Sequence, residues 1–423
     1  MLKMLRKLRQ PKIGGSIDAI GATQVEGWAA EKGNARPLNV DLFVDDKRVA
    51  SALANLHRPD LVEGGVNGGS HGFAIPIPNS VRDGHFHNVA VHVDGRVIGT
   101  REKVQISAHL TPETFEKDRP WVDFDHDDYT RELTDRTVDG RLPADMVEDM
   151  QFFRENGYVW LRNVIPADLI DKVHEDVETS WDVQPEHLLV VHNQMAAPDR
   201  IATQAGREGV RSMSMRYLDF HNFSDAASEI MMHPKVTSFI QAYLDSDVVA
   251  MQSLLFDNGT EQRSHQDFAF VHSLKPALLA GAWVALEDAH PDAGPLFYYP
   301  KSHHRVRKHV FENGTVLAEG DGPHVRAFEE YLQTECEQLQ LQRTIFTPKK
   351  GDVLIWHSAL VHGGSPRNDR SRTRKSIVSH YSTKEAYPFD RRHPTTEPIE
   401  IRKYGQTYYG LQHQGHQEGM FRL

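Results

Sequence analysis

The sequence predicts a mainly β protein with flanking helices, divided into a small β-sandwich domain and a larger β domain. Three observations carry this reading. Residues 16–108 hold short β-branched segments separated by turn residues, the spacing of a sandwich. From about residue 248 apolar runs return, and Ala277–Leu286 is continuous enough for a strand buried on both faces. Between these regions the apolar positions take helical spacing. With 423 residues, the chain accommodates two domains at roughly 100–200 residues each.

Taken in order, the first residues carry Lys3, Arg6, Lys7, Arg9 and Lys12 without an acid, interleaved with Leu2, Met4, Leu5 and Leu8. No apolar core of roughly 7–15 residues is present, so a signal peptide is not expected. Residues 1–15 read as a basic tail, either a membrane-surface helix or a disordered end. In 16–108, Val40–Val44 and Val89–Val93 read as strands, and Asp45-Asp46, Asn67-Gly68-Gly69 and Asp94-Gly95 as turns. The segments Gly27-Trp28-Ala29, Val44-Asp45-Asp46, Arg58-Pro59-Asp60-Leu61 and His71-Gly72-Phe73 resemble a β-sandwich module attached to bacterial glycosyltransferases and cell-surface polysaccharide enzymes. That resemblance implies a sugar or glycan-precursor substrate and glycosyltransferase-pathway partners.

Residues 109–142, rich in Asp, Thr, Arg and Pro, read as a linker, and 143–423 as the second domain. A helix begins near Pro143, with Met146, Met150 and Phe153 on one stripe, and stops at Gly157. Tyr158–Leu161 is an expected strand, and a helix follows from Pro166 with Leu169, Val173 and Val177 on one face. Val248–Phe256, Leu296–Tyr299 and Val353–Trp356 are further expected strands, with a helix inserted over 326–342.

Bulk properties narrow the function. Lys and Arg total 48 against 59 Asp and Glu, a net charge of −11, which argues against nucleic-acid binding because phosphate neutralisation needs basic surface. No apolar run approaches about 18 residues, so membrane insertion is not expected. The one cysteine, Cys336, cannot form an internal disulfide, which fits a reducing compartment. A cytoplasmic location is expected.

The chemistry concentrates in Arg263-Ser264-His265-Gln266-Asp267. On a strand, residues i and i+2 point the same way, so His265 and Asp267 can offer a nitrogen and an oxygen to one metal. His362, in Leu360-Val361-His362-Gly363-Gly364, lies 97 residues downstream and is the candidate third ligand. Two histidines and one carboxylate leave coordination positions open, as in non-haem Fe(II) oxygenases. Gly351-Asp352 followed by Val353–His357 gives a turn and strand leading to His362, and Arg374–Tyr381 reads as the next strand. An arginine there can pair with a distal carboxylate.

His265-Gln266-Asp267, Trp283, Gly294-Pro295-Leu296, Pro300 with Ser302-His303, Gly351-Asp352, His362 and Arg374 fall in the order of the phytanoyl-CoA dioxygenase family, which this region resembles over roughly residues 145–385. The resemblance implies a double-stranded β-helix of the jelly-roll, cupin-like kind, iron(II) held by His265, Asp267 and His362, 2-oxoglutarate as co-substrate and O2 as oxidant. It implies Arg374 at the distal carboxylate of 2-oxoglutarate. Arg372 lies in the same region, but Arg-Lys-Ser-Ile fits the family's strand. Trp283 is either a pocket wall or a core tryptophan, and Gln252 a hydrogen-bonding partner of the co-substrate. Ser302 and His303 either shape the pocket or cap a turn. Related halogenases lack the carboxylate that Asp267 supplies, so hydroxylation is expected. Arg211–His221 and the insertion after His309 are expected at the entrance, with Arg216 either binding an anionic group or simply exposed.

Other histidines have plainer readings. His85, His87 and His92 read as surface residues, as do His303, His304 and His309 if they form no second metal site. His357 falls on the opposite face from His362 if that stretch is extended. Two further functions compete with the oxygenase. One is a non-catalytic glycan-binding or scaffold protein with a structural metal. The other is a metal-dependent cupin-type isomerase that makes no use of 2-oxoglutarate.

Overall fold

The structure is a computed structural model describing residues 12–183, 188–192, 215–318, 320, 322–392 and 396–411. Most of the expected basic tail, and residues 211–214 of the expected entrance segment, lie outside the described residues. The chain divides into two compact units, Met1–His109 and Leu110–Leu423.

The first unit is a two-sheet sandwich. One sheet orders β1 (Ile13–Ile20), β2 (Gln24–Glu31), β6 (Ser70–Pro76) and β5 (Leu56–His57). The other orders β4 (Lys47–Ala54), β3 (Leu38–Val44), β7 (Phe86–Val93) and β8 (Arg96–Gln105). A short helix α1 (Pro59–Glu63) joins β5 to β6. Alternation explains the layering: Val40, Leu42 and Val44 of β3, and Val89, Val91 and Val93 of β7, are all buried in one core with Phe73 and Ile75. The hairpin turns behave as their residues require. Asp45 and Asp46 have φ of 47° and 64°, and Asp94 and Gly95 have 48° and 72°, the double left-handed geometry that suits a right-twisted hairpin.

The second unit does not begin with a linker. Residues 109–142 contain α2 (Pro112–Lys117) and α3 (His126–Val138), and Trp121, Val122, Tyr129 and Leu142 belong to the main core. Thr111 caps α2, its side chain accepting from the Thr114 amide while the Thr114 hydroxyl accepts from the Thr111 amide. The polar composition misleads because few side chains here are apolar, yet Phe115, Trp121, Tyr129 and Leu142 among them are buried. Trp121 also donates its indole N–H to the Ala242 carbonyl at 2.8 Å.

Helix α4 (Val147–Asn156) buries Met150 and Phe153 and ends at Gly157, whose φ is 79°. Strand β9 (Tyr158–Leu161) and helix α5 (Ala167–Val183) follow, then β10 (Leu189–His192), β11 (Met215–Leu218), α6 (Asp225–Met231) and α7 (Pro234–Leu244). The remaining elements are β12 (Val248–Phe256), β13 (Leu279–Ala285), β14 (Leu296–Tyr298), α8 (Ser302–Arg305), α9 (Pro323–Gln338), β15 (Thr344–Phe346), β16 (Val353–His357), β17 (His362–Gly364), β18 (Ser376–Thr383), β19 (Ile399–Lys403) and β20 (Gln406–Gly410).

A large sheet runs β10-β11-β12-β18-β13-β16-β9, with β20 and β19 added at β12; a small sheet runs β15-β14-β17. One face of the large sheet packs against α5, α6 and α7 through residues such as Val173, Ile230, Phe239, Ala282, Ile355 and Tyr381. Its other face meets the small sheet through Trp283, Leu354 and Trp356 against Leu296, Tyr298 and Phe346. This is a cupin-like double-stranded β-helix with flanking helices. β13 is buried at every position, as its unbroken apolar run requires. Among the described residues, no helix is long and apolar enough to cross a membrane.

Candidate active site

The strand edges set the site. His265 and His362 form an antiparallel bridge, with His265 N–H on the His362 carbonyl at 2.9 Å and the reverse bond at 3.1 Å. Two segments 97 residues apart are thereby fixed side by side, and their imidazole centroids lie 4.2 Å apart. Asp267 does not continue a strand, as expected, but opens a 3-10 turn over Asp267–Ala269. Its carboxylate still points to the same place. Among the described residues, His265, Asp267 and His362 form a group whose ligand atoms all lie within 4.8 Å of one another. Asp267 Oδ1 is 3.7 Å from His265 Nε2 and 3.5 Å from His362 Nε2.

The backbone fixes which ring nitrogens are available. His265 Nδ1 lies 2.9 Å from the Arg263 carbonyl, and His362 Nδ1 lies 3.0 Å from the Leu360 carbonyl. In each case Nδ1–H donates to the carbonyl and leaves Nε2 as a lone pair turned inward. Burial, reinforced by the His362 ring, pushes His265 down to about 4, which keeps it neutral near pH 7. Burial alone would raise the Asp267 carboxyl, but the rings of His362 and His380 hold it well below the usual carboxylate range. Two imidazole nitrogens and one anionic oxygen are the donor set a divalent cation needs.

These groups open on a pocket of about 390 Å3, near the lower end of the roughly 300–1,000 Å3 usual for small-molecule sites. The lining includes Gln252, Trp283, Arg374, His380, Arg216 and Arg391. Arg374 is buried, donates Nη1 to the Gly294 carbonyl at 3.2 Å and leaves Nε without a hydrogen-bond partner. Its guanidinium lies 5.6 Å from the Trp283 ring centroid. Burial, with the Arg367 charge, pushes Arg374 down to about 10, so it remains a cation near pH 7. Gly294 holds the φ of 76° that this turn requires, and a Cβ there would lie 2.7 Å from the Arg367 side chain.

Several expectations resolve at the level of placement. Arg372 faces outward beside Asp369 at 3.0 Å, whereas Arg374 enters the pocket. Gln252 also lines the pocket, but its side-chain nitrogen is 3.0 Å from His380 Nδ1. Ser302 and His303 do not line it. The Ser302 hydroxyl instead accepts from the Val361 amide at 2.8 Å, one residue before His362. Asp352 holds the entry to β16 by accepting from the Trp160 indole and the Asn163 and Lys349 amides. His357 turns away, to Asp123 at 2.9 Å. His303, His304 and His309 are not brought together as a three-ligand group among the described residues. His87 is held between Asp45 and Asp83, carboxylates from other elements that sequence spacing could not reveal.

Sequence reasoning missed Trp356 and His380 as site residues. The Trp356 indole donates to Asp267 Oδ2 at 2.6 Å. It can lie there because position 281 is glycine: a Cβ at Gly281 would stand 2.3 Å from the indole. His380 Nε2 lies 3.2 Å from the same oxygen. The available signal was parity, since Arg374, Val378 and His380 share one face of an extended segment.

A family model described as Phytanoyl-CoA dioxygenase (PhyH) matches residues 153–374, more than half of the chain. The human peroxisomal phytanoyl-CoA dioxygenase is 21% identical over 264 residues, covering 60% of this chain and 73% of that protein. The Rattus norvegicus protein is 22% identical over 278 residues, covering 63% and 77%. Among solved structures, EctD from S. alaskensis with 2-oxoglutarate and 5-hydroxyectoine aligns with a TM-score of 0.45 at 16% identity, covering 64% of this chain and 89% of that one. The α-ketoglutarate-dependent epimerase SnoN from nogalamycin biosynthesis aligns with a TM-score of 0.40 at 16% identity, covering 57% and 84%.

Proposed function

The chain belongs to the phytanoyl-CoA dioxygenase family, and from that premise we propose that it is an Fe(II)- and 2-oxoglutarate-dependent oxygenase that hydroxylates a small anionic molecule. One observation carries the reading: three convergent ligand atoms share a pocket with a buried arginine whose Nε is unpaired. His265, Asp267 and His362 hold the iron, and Arg374 receives the distal carboxylate of 2-oxoglutarate beside Trp283. Bound together, iron and 2-oxoglutarate supply the oxidising power for O2-dependent hydroxylation, with 2-oxoglutarate converted to succinate. The protein's part is to orient the substrate C–H bond toward the open positions and to exclude water with the apolar lining of Leu218, Leu254, Phe256 and Val378.

The substrate class follows from charge. Formal charges cancel within the set of Fe(II), Asp267, 2-oxoglutarate and Arg374. Beyond that set, Arg216 and Arg391 also line the pocket, and among the described residues no carboxylate other than Asp267 does. Asp219 anchors Arg391 from behind at 3.0 Å. A carboxylate or phosphate on the substrate complements these arginines. The sugar or glycan precursor expected from the first domain is a narrower member of this class when its anion is a phosphate.

The test is anaerobic titration of the metal-free protein with Fe(II) and then 2-oxoglutarate, followed by visible absorption. A weak charge-transfer band should form in the wild type, vanish in Asp267→Ala and require far more 2-oxoglutarate in Arg374→Ala. No band and no retained iron in the wild type would overturn the oxygenase reading in favour of a binding protein. A metal that binds without any response to 2-oxoglutarate would favour the cupin-type isomerase.

A further inference from the structure

The two oxygens of Asp267 meet different surroundings. Oδ1 faces His265 and His362, where the metal would sit. Oδ2 faces away from it and meets two nitrogens, Trp356 Nε1 at 2.6 Å and His380 Nε2 at 3.2 Å. His380 is itself engaged at its other nitrogen, with Gln252 Nε2 3.0 Å from Nδ1. Trp356, His380 and Asp267 are all buried. Register builds the arrangement: Gln252 is the cross-strand partner of His380 between β12 and β18, His380 that of Gly281 between β18 and β13, and Gly281 that of Trp356 between β13 and β16. One row across the large sheet therefore reads Gln252, His380, Gly281, Trp356, and it ends on the far oxygen of the metal-ligating carboxylate.

We propose that Gln252, His380 and Trp356 form a positioning relay that commits Asp267 to bind the metal through Oδ1 alone. The amide of Gln252 can only donate to Nδ1 through its nitrogen, which makes Nδ1 the acceptor and puts the ring proton on Nε2. The Nε2–H of His380 then faces Oδ2 at 3.2 Å as an electrostatic contact without hydrogen-bond geometry, alongside the hydrogen bond donated by the Trp356 indole. A free carboxylate can chelate a metal through both oxygens and would occupy one position more. With Oδ2 held by the Trp356 indole and faced by the His380 ring, that position stays open for a bidentate 2-oxo acid, a requirement that two histidines and one monodentate carboxylate satisfy. Gly281 belongs to the relay by having no side chain, since any Cβ there collides with the indole.

This inference rests on the iron reading above, and the experiment separates the two. The first arm uses metal-free wild type, with 15N-labelled histidine followed by two-dimensional NMR. His380, assigned by loss of its signals in His380→Gln, is expected as the Nε2–H tautomer, and Gln252→Glu is expected to move the proton to Nδ1. The second arm measures Fe(II) affinity anaerobically by chelator competition. His380→Leu and Trp356→Phe should each weaken Fe(II) binding by about 10–100-fold, the usual cost of losing an outer partner of a metal ligand. His380→Gln, whose amide can still donate to Oδ2, should recover most of that loss. An Nδ1–H tautomer in the wild type, or Fe(II) affinities within about twofold of wild type in both His380→Leu and Trp356→Phe, would overturn the relay. Failure of wild type itself to bind Fe(II) would instead overturn the iron reading, and the relay's metal role with it. Should His380→Leu not fold, the tautomer and Trp356→Phe still decide the matter.

Discussion

Trp356 and His357 are neighbours on β16, and each ends at a group of histidines and a carboxylate. On the pocket side, Trp356 donates to Asp267 beside His265, His362 and His380. On the other side, His357 meets Asp123, with His304 Nε2 3.6 Å from the same carboxylate and the His303 ring 5.2 Å from that of His357. The residue types are the same, but His304 is exposed where the pocket histidines are not, and the two groups differ in what their nitrogens face. In the first, three ligand atoms converge on an open pocket. In the second, His303 Nε2 contacts the Arg154 carbonyl, and His357 Nδ1 accepts from the Ala359 amide while its Nε2 meets Asp123. There His303 Nδ1 and Asp123 Oδ1 have no hydrogen-bond partner, but the cluster forms no converging ligand group among the described residues, and the bonds it makes tie α4, β16 and the turn after it together. A histidine–carboxylate cluster is a metal site only where lone pairs are left over and point at shared space.

That contrast can be broken from either side. The largest effect should come from His362→Ala: Fe(II) binding falls by more than the roughly 10–100-fold cost of an outer partner, while the thermal midpoint of the metal-free protein changes little. Asp123→Asn should do the opposite, lowering unfolding free energy by about 1.5–3 kcal/mol as a buried charged hydrogen bond is lost, with Fe(II) affinity nearly unchanged. Denaturant midpoints and chelator competition on both variants would test this, and a large loss of iron affinity in Asp123→Asn would erase the distinction.

Acid sharpens the comparison next. His265 and His221 are both held at about 4 by burial, below the ordinary value near 6.5 that each has once unfolded. Between these values the unfolded chain binds protons that the folded one refuses, so stability rises with pH and is lost as pH falls from about 6.5 toward 4. Each group contributes at most about 1.4 kcal/mol per pH unit in that window. Urea midpoints of the metal-free protein at pH 7 and pH 5 should show the loss, and His265→Asn should flatten the slope. Asp123, also held low, acts only below the ordinary carboxylate value near 3.8. The smallest effect expected is that of Arg372→Ala: its exposed pairing with Asp369 is worth about 0–1 kcal/mol, and 2-oxoglutarate affinity should not move. A loss comparable to that of Arg374→Ala would reassign the co-substrate arginine.

Much of this was legible in the chain itself. Val248–Phe256 is apolar apart from Gln252 and Ser253, and the strand has those bounds. That His265, Asp267 and His362 come together, with Arg374 lining the same pocket, was legible because divalent-cation donors and anion partners draw on few residue types. Three features were hidden for physical reasons. Helix α3 carries mostly polar and charged residues and buries one aromatic, Tyr129, so neither composition nor periodicity announced it. The contact of Gln252 with His380 was hidden because sequence cannot tell that the cross-strand partner of residue 252 is residue 380. Trp356 was legible only as the end of an expected strand, because its indole nitrogen finds Asp267 across a glycine on the adjacent strand.

The paired hydrogen bonds between His265 and His362 have a consequence for how this chain can vary. They act as a clasp at the neck of a long excursion that holds β13 to β16 and helix α9. The entropy of closing such an excursion grows only logarithmically, by about 0.6 kcal/mol for each doubling of its length. Whole segments between the two ligands can therefore be lengthened or pruned at small thermodynamic cost, provided the strands that frame the pocket survive. The excursion is where new substrate-facing architecture can be added while the metal's surroundings stay as they are.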